Sequence, residues 1–248
     1  VAGMDRYFQI ARCFRDEDQR GDRQPEFTQL DVEMSFVEAE DIMQNSEELM
    51  ISLVKALVPH KKITTKTFPR MTWLEAMSAY GSDKPDLRFE MQIVDVSDEV
   101  KNCEFQVFAS ALKNGGVVRA LRVEGGNKFT RKEIDELTEV AKIYGAKGLA
   151  YIQMAEEGPK SPFLKFMKDD ELKAIYKKTG AKIGDIIFFG ADQFVTVCEA
   201  LGHVRLACGD KFGLRDKDSL AFVWIYEFPL FEWSKEDQRL NSAHHPFT

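Results

Sequence analysis

Apolar and polar positions divide the chain into segments of distinct period. Residues 6–15 and 26–36 read as two strands around a highly charged loop. The second strand alternates: Leu30, Val32, Met34 and Phe36 point one way, and Phe27, Gln29, Asp31, Glu33 and Ser35 point the other. Glu38 to Val58 carries a helical period, with Ile42, Leu49, Leu53, Val54 and Leu57 on one stripe and Pro59 as the stop. A short helix follows over Thr72 to Tyr80, opened by a Thr72–Glu75 capping box and ended by Gly81.

The character changes near residue 89, and from there to about residue 215 strands alternate with helices. Val117 to Val123, Leu149 to Met154 and Asp185 to Phe189 read as strands. Thr130 to Tyr144, Asp170 to Lys178 and Asp192 to Leu201 read as helices, the first opened by a second capping box, Thr130 with Glu133, and closed by Gly145. This block has the pattern of a self-contained α+β domain. The apolar run Ser219 to Trp233 then reads as a buried strand of the first domain.

Composition adds a few bounds. The 248 residues suffice for one large domain or two modest ones, and 44% apolar with 30% charged residues is ordinary for a soluble globular protein. No apolar run approaches the roughly 20 residues that span a bilayer, and no signal peptide is visible, so no membrane partner and a cytoplasmic location are expected. Cys13, Cys103, Cys198 and Cys208 are scattered without a CxxC pair, which argues for reduced thiols rather than a zinc knuckle. The net charge of −7 argues mildly against nucleic acid as a partner, although binding depends on local patches. The chain begins at Val1 and stops directly after a dense polar motif, so it is expected to be an internal fragment.

The densest chemical signal runs from Arg12-Cys13-Phe14-Arg15-Asp16-Glu17-Asp18 through a loop to Arg23-Gln24-Pro25-Glu26-Phe27-Thr28-Gln29-Leu30-Asp31. An arginine fork at the end of a strand suits bidentate contact with a phosphate. Asp31 and Glu33 project from a strand whose other face is apolar, where a carboxylate suits a substrate ammonium group with Gln29 beside it. A solvated, salt-bridged hairpin explains the same charges equally well.

The order of these residues resembles motif 2 of the class II aminoacyl-tRNA synthetases, and the longer string is closest to the bacterial-type aspartate enzymes. Tyr80-Gly81-Ser82-Asp83-Lys84-Pro85-Asp86-Leu87-Arg88 is similar to the segment that follows motif 2 in that family. Thr130 to Glu136, Tyr144 to Tyr151 and Phe189-Gly190-Ala191-Asp192 resemble an inserted domain named for its Gly-Ala-Asp signature. That domain is shared with the B subunit of the tRNA-dependent amidotransferase. His244-His245-Pro246-Phe247-Thr248 resembles a substrate-site loop. The fold implied is α+β: a partial class II antiparallel-sheet catalytic core (residues 1–88 and 216–248) interrupted by an inserted α+β domain (89–215).

The resemblance implies roles for individual residues. Arg15 would contact the ATP α-phosphate and the aspartate carboxylate as the catalytic charge-stabilising group. Asp16 and Glu17 would belong to the ATP site, with Glu17 at the adenine end, and Gln24 would hold ATP or the tRNA acceptor end. Gln29 and Asp31 would bind aspartate, Asp31 through the α-ammonium, and His244 with His245 would close over it. A surface turn before a proline is the plain alternative for the histidines; adjacent residues on an extended segment face opposite ways, which disfavours a shared metal.

ATP and Mg2+ would be cofactors, and aspartate tRNA and L-aspartate partners, with a homodimer expected for the full-length parent. Motifs 1 and 3, the magnesium-binding acids and the anticodon-binding barrel have no counterpart in the chain. Gly213-Leu214-Arg215-Asp216 has the letters of motif 3 in the wrong order. The parent is therefore expected to be an aspartate–tRNA ligase and this piece alone inactive. A noncatalytic tRNA-binding or interaction module derived from a synthetase is the alternative. In the insert, Lys165, Lys168, Lys173, Lys177, Lys178 and Lys182 suit either an RNA backbone or a solvated helix face. Asp192 is expected to cap the following helix and Gly190 to provide a tight strand-to-helix turn.

Overall fold

The computed structural model describes residues 3–16, 18, 19, 21, 23–234 and 237–243. The chain divides into two compact units, residues 1–59 and 60–248.

In the first unit, β1 (Arg6–Phe14) and β2 (Glu26–Met34) form an antiparallel hairpin with Arg6 opposite Met34 and Phe14 opposite Glu26. The second strand ends earlier than its alternation predicts. Phe36 has φ 56, a left-handed conformation that an extended strand cannot hold. The predicted helix is present as α1 (Ala39–Leu57), and at its start the Glu38 amide donates to Asp41 Oδ2 at 2.9 Å. Of the predicted apolar stripe only Val54 is buried; Ile42, Leu49, Leu53 and Leu57 remain exposed.

The second unit runs through β3 (Lys62–Ile63), β4 (Arg70–Thr72), α2 (Trp73–Tyr80), β5 (Ile93–Asp95), α3 (Gln106–Lys113), β6 (Val117–Val123) and α4 (Arg131–Ile143). It continues with β7 (Ala150–Ala155), β8 (Gly158–Lys160), α5 (Asp169–Thr179), β9 (Ile186–Asp192), α6 (Phe194–Lys211), β10 (Ser219–Leu220), β11 (Trp224–Tyr226), β12 (Phe231–Ser234) and β13 (Arg239–Ser242). Strands β5-β6-β9-β7-β8 make one antiparallel sheet in that spatial order.

Helices cover both faces of this sheet, which explains why β6 and β9 read as continuous apolar runs. Leu121, Val123, Ile186 and Phe188 pack with Ile134 and Leu137 of α4 and Leu201 and Val204 of α6. Val118, Ala120, Ile187 and Phe189 face the other way, toward Phe108 of α3 and Ile175 of α5. Both predicted capping boxes form: the Thr72 and Thr130 hydroxyls accept from the amides of Glu75 and Glu133, whose carboxylates return the bond.

Four expectations need correction here. The strand predicted to end at Phe189 continues to Asp192, so Gly190 lies inside β9 and forms no turn. Its need for glycine is packing: a Cβ there would come within 2.9 Å of Val197 Cγ1. Asp192 does not cap α6, whose N-cap is Gln193 without a side-chain bond; its Oδ1 accepts instead from the Gln193 amide at 2.8 Å. The helix also runs on to Lys211, because its buried residues from Val197 to Gly209 lie against the sheet and α2 rather than on a simple amphipathic stripe. Finally, Ser219 to Trp233 is no single buried strand. Glu227 at φ 55 and Pro229 break it, and Leu230, Phe231 and Trp233 are exposed. Its pieces β10 and β11 pair in parallel with β3 and β4, whereas β12 and β13 form an antiparallel hairpin. Among the described residues no helix is long and apolar enough to cross a membrane.

The largest fully buried side chain is Arg205 on α6, 1% exposed. Its Nε donates to Met91 O at 2.6 Å, and Nη2 donates to Asp86 O at 2.9 Å and Phe89 O at 2.8 Å. The guanidinium also lies 3.9 Å from the Phe89 ring centroid and 5.0 Å from that of Tyr80. Burial pushes its pKa down to about 10, so it remains charged at neutral pH. One turn earlier, Gly202 meets the C-terminus of α2, where a Cβ would fall 2.7 Å from Gly81 O. Gly81 itself sits at φ 70, in the left-handed cap predicted for it.

Removing the Arg205 fork would strand three carbonyls in a dry setting, at roughly 1–3 kcal/mol for each group left unpaired. Arg205→Ala is therefore expected to destabilise the chain by more than about 3 kcal/mol in urea unfolding; a change within about 0.5 kcal/mol would contradict this role.

A second expectation concerns acid. Glu133 is held at a pKa of about 2, first by Lys211 at 2.5 Å and then by the Thr130 amide and hydroxyl. A depressed carboxylate contributes stability above its unfolded pKa and loses it as pH falls through the folded value. Thermal melts should show the melting temperature falling as pH drops from about 4.5 toward 2, and Glu133→Gln should show a smaller fall. Parallel acid limbs would refute this.

Candidate functional site

The hairpin register decides which side chains can act together. Residues facing each other across an antiparallel pair lie on the same side of the ribbon. Gln9 is opposite Asp31, Ala11 opposite Gln29 and Cys13 opposite Phe27, so these six share one face. Beyond the last strand pair the Arg15 amide still donates to Pro25 O at 2.8 Å. The Arg15 guanidinium lies 5.1 Å from the Phe27 ring centroid, which places it on the same face.

That face is polar and internally bonded. Gln9 Nε2 donates to Asp31 Oδ2 at 2.9 Å, and Cys13 Sγ lies 3.1 Å from Gln29 Oε1. Asp31 is half-buried, whereas Arg15, Asp16, Gln24 and Gln29 are exposed. The opposite face carries Phe8, Ile10, Leu30 and Val32, all exposed, and an Arg12–Glu26 ion pair.

Of the predicted site residues, Arg15, Gln29 and Asp31 come together on one surface. Six residue steps along β2 separate Asp31 from Pro25, the partner of Arg15. At about 3.3 Å per step the backbones of the two groups lie about 20 Å apart. A ligand held at both would lie lengthwise along the ribbon, reached from one end by a long flexible guanidinium and from the other by a short carboxylate.

Gln24 sits in the connecting loop, where Gln19, Arg23, Gln24, Pro25 and Glu26 line a hollow of about 360 Å³. Asp16 lies just beyond β1, outside that lining. The sequence reading assigned roles to Glu17, His244 and His245, which lie outside the described residues.

The reading from sequence missed Gln9, Cys13 and Phe27 as neighbours of this surface. The signal was present only indirectly, because β1 alone does not reveal which of its residues oppose Gln29 and Asp31. In the second unit the lysine stretch forms a face of mixed sign: Lys178 pairs with Glu99 at 2.9 Å, and Asp169, Asp170 and Glu171 occupy the first turn of α5. No group of three or more His, Cys, Asp or Glu side chains able to hold a metal occurs among the described residues.

Comparison with known proteins agrees with the motif content. The family described as tRNA synthetases class II (D, K and N) matches residues 1–248. The aspartate–tRNA(Asp/Asn) ligase of Heliobacterium modesticaldum is 51% identical over 248 residues, all of this chain and 41% of that protein. The corresponding ligase of Syntrophomonas wolfei is 52% identical over all of this chain and 42% of its own length. The aspartate–tRNA ligase of Geobacillus kaustophilus is 50% identical, again over all of this chain and 42% of its own length. The chain thus spans about two fifths of the length of these curated relatives. With its whole length matched, the chain belongs to the class II tRNA synthetases (D, K and N).

Proposed function

We propose that this chain is part of an aspartate–tRNA ligase and carries one half of its aspartyl-adenylate site. The observation that carries the reading is the placement of Arg15, Gln29 and Asp31 on one face of a hairpin whose sequence follows motif 2. The names of relatives about 50% identical over the whole chain support the choice of aspartate.

In the parent, a carboxylate oxygen of L-aspartate attacks the α-phosphorus of ATP. A carboxyl–phosphate bond forms, the bond to the β-phosphate breaks, and pyrophosphate leaves. Arg15 stabilises the charge that gathers on the α-phosphoryl oxygens, and Asp31, steadied by Gln9, holds the substrate ammonium with Gln29 beside it. Gln24, in the loop hollow, and Asp16 and Glu17 serve the nucleotide side, and His244 and His245 close over the aspartate. A terminal ribose hydroxyl of aspartate tRNA then attacks the acyl carbon and releases AMP. Magnesium accompanies ATP in such chemistry; among the described residues no group of three or more His, Cys, Asp or Glu side chains would hold it.

Residues 89–215 form an inserted domain in this reading, between core segments 1–88 and 216–248. Two observations support it. The five-stranded sheet lies wholly within residues 93–192, and the strands just before and after it, β3 with β10 and β4 with β11, pair with each other. The chain thus departs and returns at adjacent points. The full-length parent is a cytoplasmic homodimer in this proposal.

In the full-length parent, Arg15→Ala should lower aspartate-dependent ATP–pyrophosphate exchange by about two to three orders of magnitude, the usual effect of losing one charge-stabilising donor. Near-normal exchange would refute the role of Arg15, and exchange driven by asparagine instead of aspartate would refute the substrate. The 248-residue chain alone should show no exchange; robust turnover by it would overturn the view that half a site is present.

A further inference from the structure

The face of the hairpin that carries Asp31 also holds two side-chain amides, Gln9 from β1 and Gln29 from β2. A glutamine amide has a carbonyl acceptor on one edge and an NH2 donor on the other. Whichever edge the protein engages, the opposite one is left for a ligand. Residues of β1 settle that sense for both amides.

Gln9 Nε2 donates to Asp31 Oδ2 at 2.9 Å. An ionised carboxylate only accepts, so the NH2 edge of Gln9 must face it and Oε1 is turned away. At Gln29 the sense is reversed. Cys13 Sγ donates to Gln29 Oε1 at 3.1 Å, nearer than the 3.7 Å to Ala11 O, so Nε2 of Gln29 is the edge left over. Ala11, opposite Gln29 in the register, has no atom beyond Cβ to cover that edge. Among the described residues neither Gln9 Oε1 nor Gln29 Nε2 is hydrogen-bonded.

The surface therefore has a direction. Asp31 and Gln9 Oε1 offer acceptors, and Gln29, the next residue of β2 on that face, offers a donor. Two residues of strand separate Asp31 from Gln29, about 7 Å. That spacing suits an ammonium and a carboxylate borne on one carbon, each about 2.9 Å from its partner. A Gln29 amide turned the other way would set its carbonyl against the carboxylate.

We propose that Gln9 and Cys13 are positioning residues of the amino-acid site. Gln9 orients Asp31 and adds its own carbonyl to the acceptors around the α-ammonium. Cys13 holds Gln29 so that its NH2 meets the α-carboxylate. The inference rests on the aspartate reading of this face given above.

ATP–pyrophosphate exchange by the full-length parent, with L-aspartate and ATP varied in turn, tests this. Contacts made equally in the ground and transition states act on KM and not on kcat. Cys13→Ala and Gln9→Met should each raise the KM for aspartate about three- to tenfold, the usual weight of one hydrogen bond. Their kcat and their KM for ATP should stay near the parental values. Cys13→Ser, which keeps a donor at the same place, should restore the KM for aspartate. A packing role would instead give the serine and alanine variants the same defect, and that result overturns the assignment of Cys13. Should Cys13→Ala fail to fold, Cys13→Val, whose branched side chain suits a strand, replaces it.

Arg15→Ala and Asp31→Asn, measured alongside, separate the two readings. If both lose exchange while Cys13→Ala and Gln9→Met keep the parental KM for aspartate, the aspartate reading stands and this inference is overturned. If both retain near-normal exchange, the aspartate reading of the face fails and the inference fails with it.

Discussion

The joint between α2, α6 and the chain entering the five-stranded sheet is built around the most deeply buried cation among the described residues, Arg205. Arg205 is withdrawn from water almost entirely, and such a charge is tolerable only if its donors are met. Its Nε and Nη2 are met by backbone carbonyls rather than by a carboxylate, all three from the segment Asp86 to Met91. A helix packed on the five-stranded sheet thereby dictates the path of the chain leading into that sheet. The same segment contains Met91 at φ 124, a strained value for a residue other than glycine, and Arg205 Nε binds the carbonyl of that very residue. The close approach of Gly81 and Gly202 completes the joint, since α2 can end against α6 only where neither carries a side chain.

Around this joint, partly buried charges clasp the incoming and outgoing segments of chain. Asp86 accepts from Arg88 at 2.9 and 2.6 Å and from Arg215 at 3.0 Å, and Arg88 Nη1 reaches Asp216 O at 2.8 Å. The Arg88 fork foremost holds the Asp86 carboxyl well below its ordinary range despite partial burial. Arg215 in turn forks onto Asp210 at the end of α6. The letters Gly213-Leu214-Arg215-Asp216, which superficially resemble a nucleotide-binding motif, thus serve a structural clasp.

The hairpin follows a different logic. Its stability as a ribbon comes from the full register of β1 with β2, while its two faces are chemically opposite. One carries the hydrogen-bonded pairs Gln9–Asp31 and Cys13–Gln29, with Ala11 and Phe27 between and beyond them. The other exposes Phe8 at 70%, Ile10 at 67% and Val32 at 51%, a contiguous apolar strip of the kind that marks a contact surface. Period two makes this separation strict: a shift of register by one residue would place Asp31 among the apolar side chains and take it from Gln9.

The sequence by itself determined the elements whose signals are local. Helices α1, α2, α4 and α5, the capping boxes at Thr72 and Thr130, the left-handed Gly81 and the alternation of β2 all depend on residues within a few positions of one another. It also determined the family, because motif 2 is an ordered string. Tertiary structure alone decided the rest. Gly190 is required by Val197, seven positions ahead and on another element, and Arg205 is bound to carbonyls more than a hundred residues away. The length of α6 and the breaking of the run after Ser219 were likewise set by what those segments touch. Gln9 became a partner of Asp31 only through strand register. Backbone propensity and capping act over one turn, whereas close packing and the pairing of buried polar groups depend on neighbours that only the folded chain brings near.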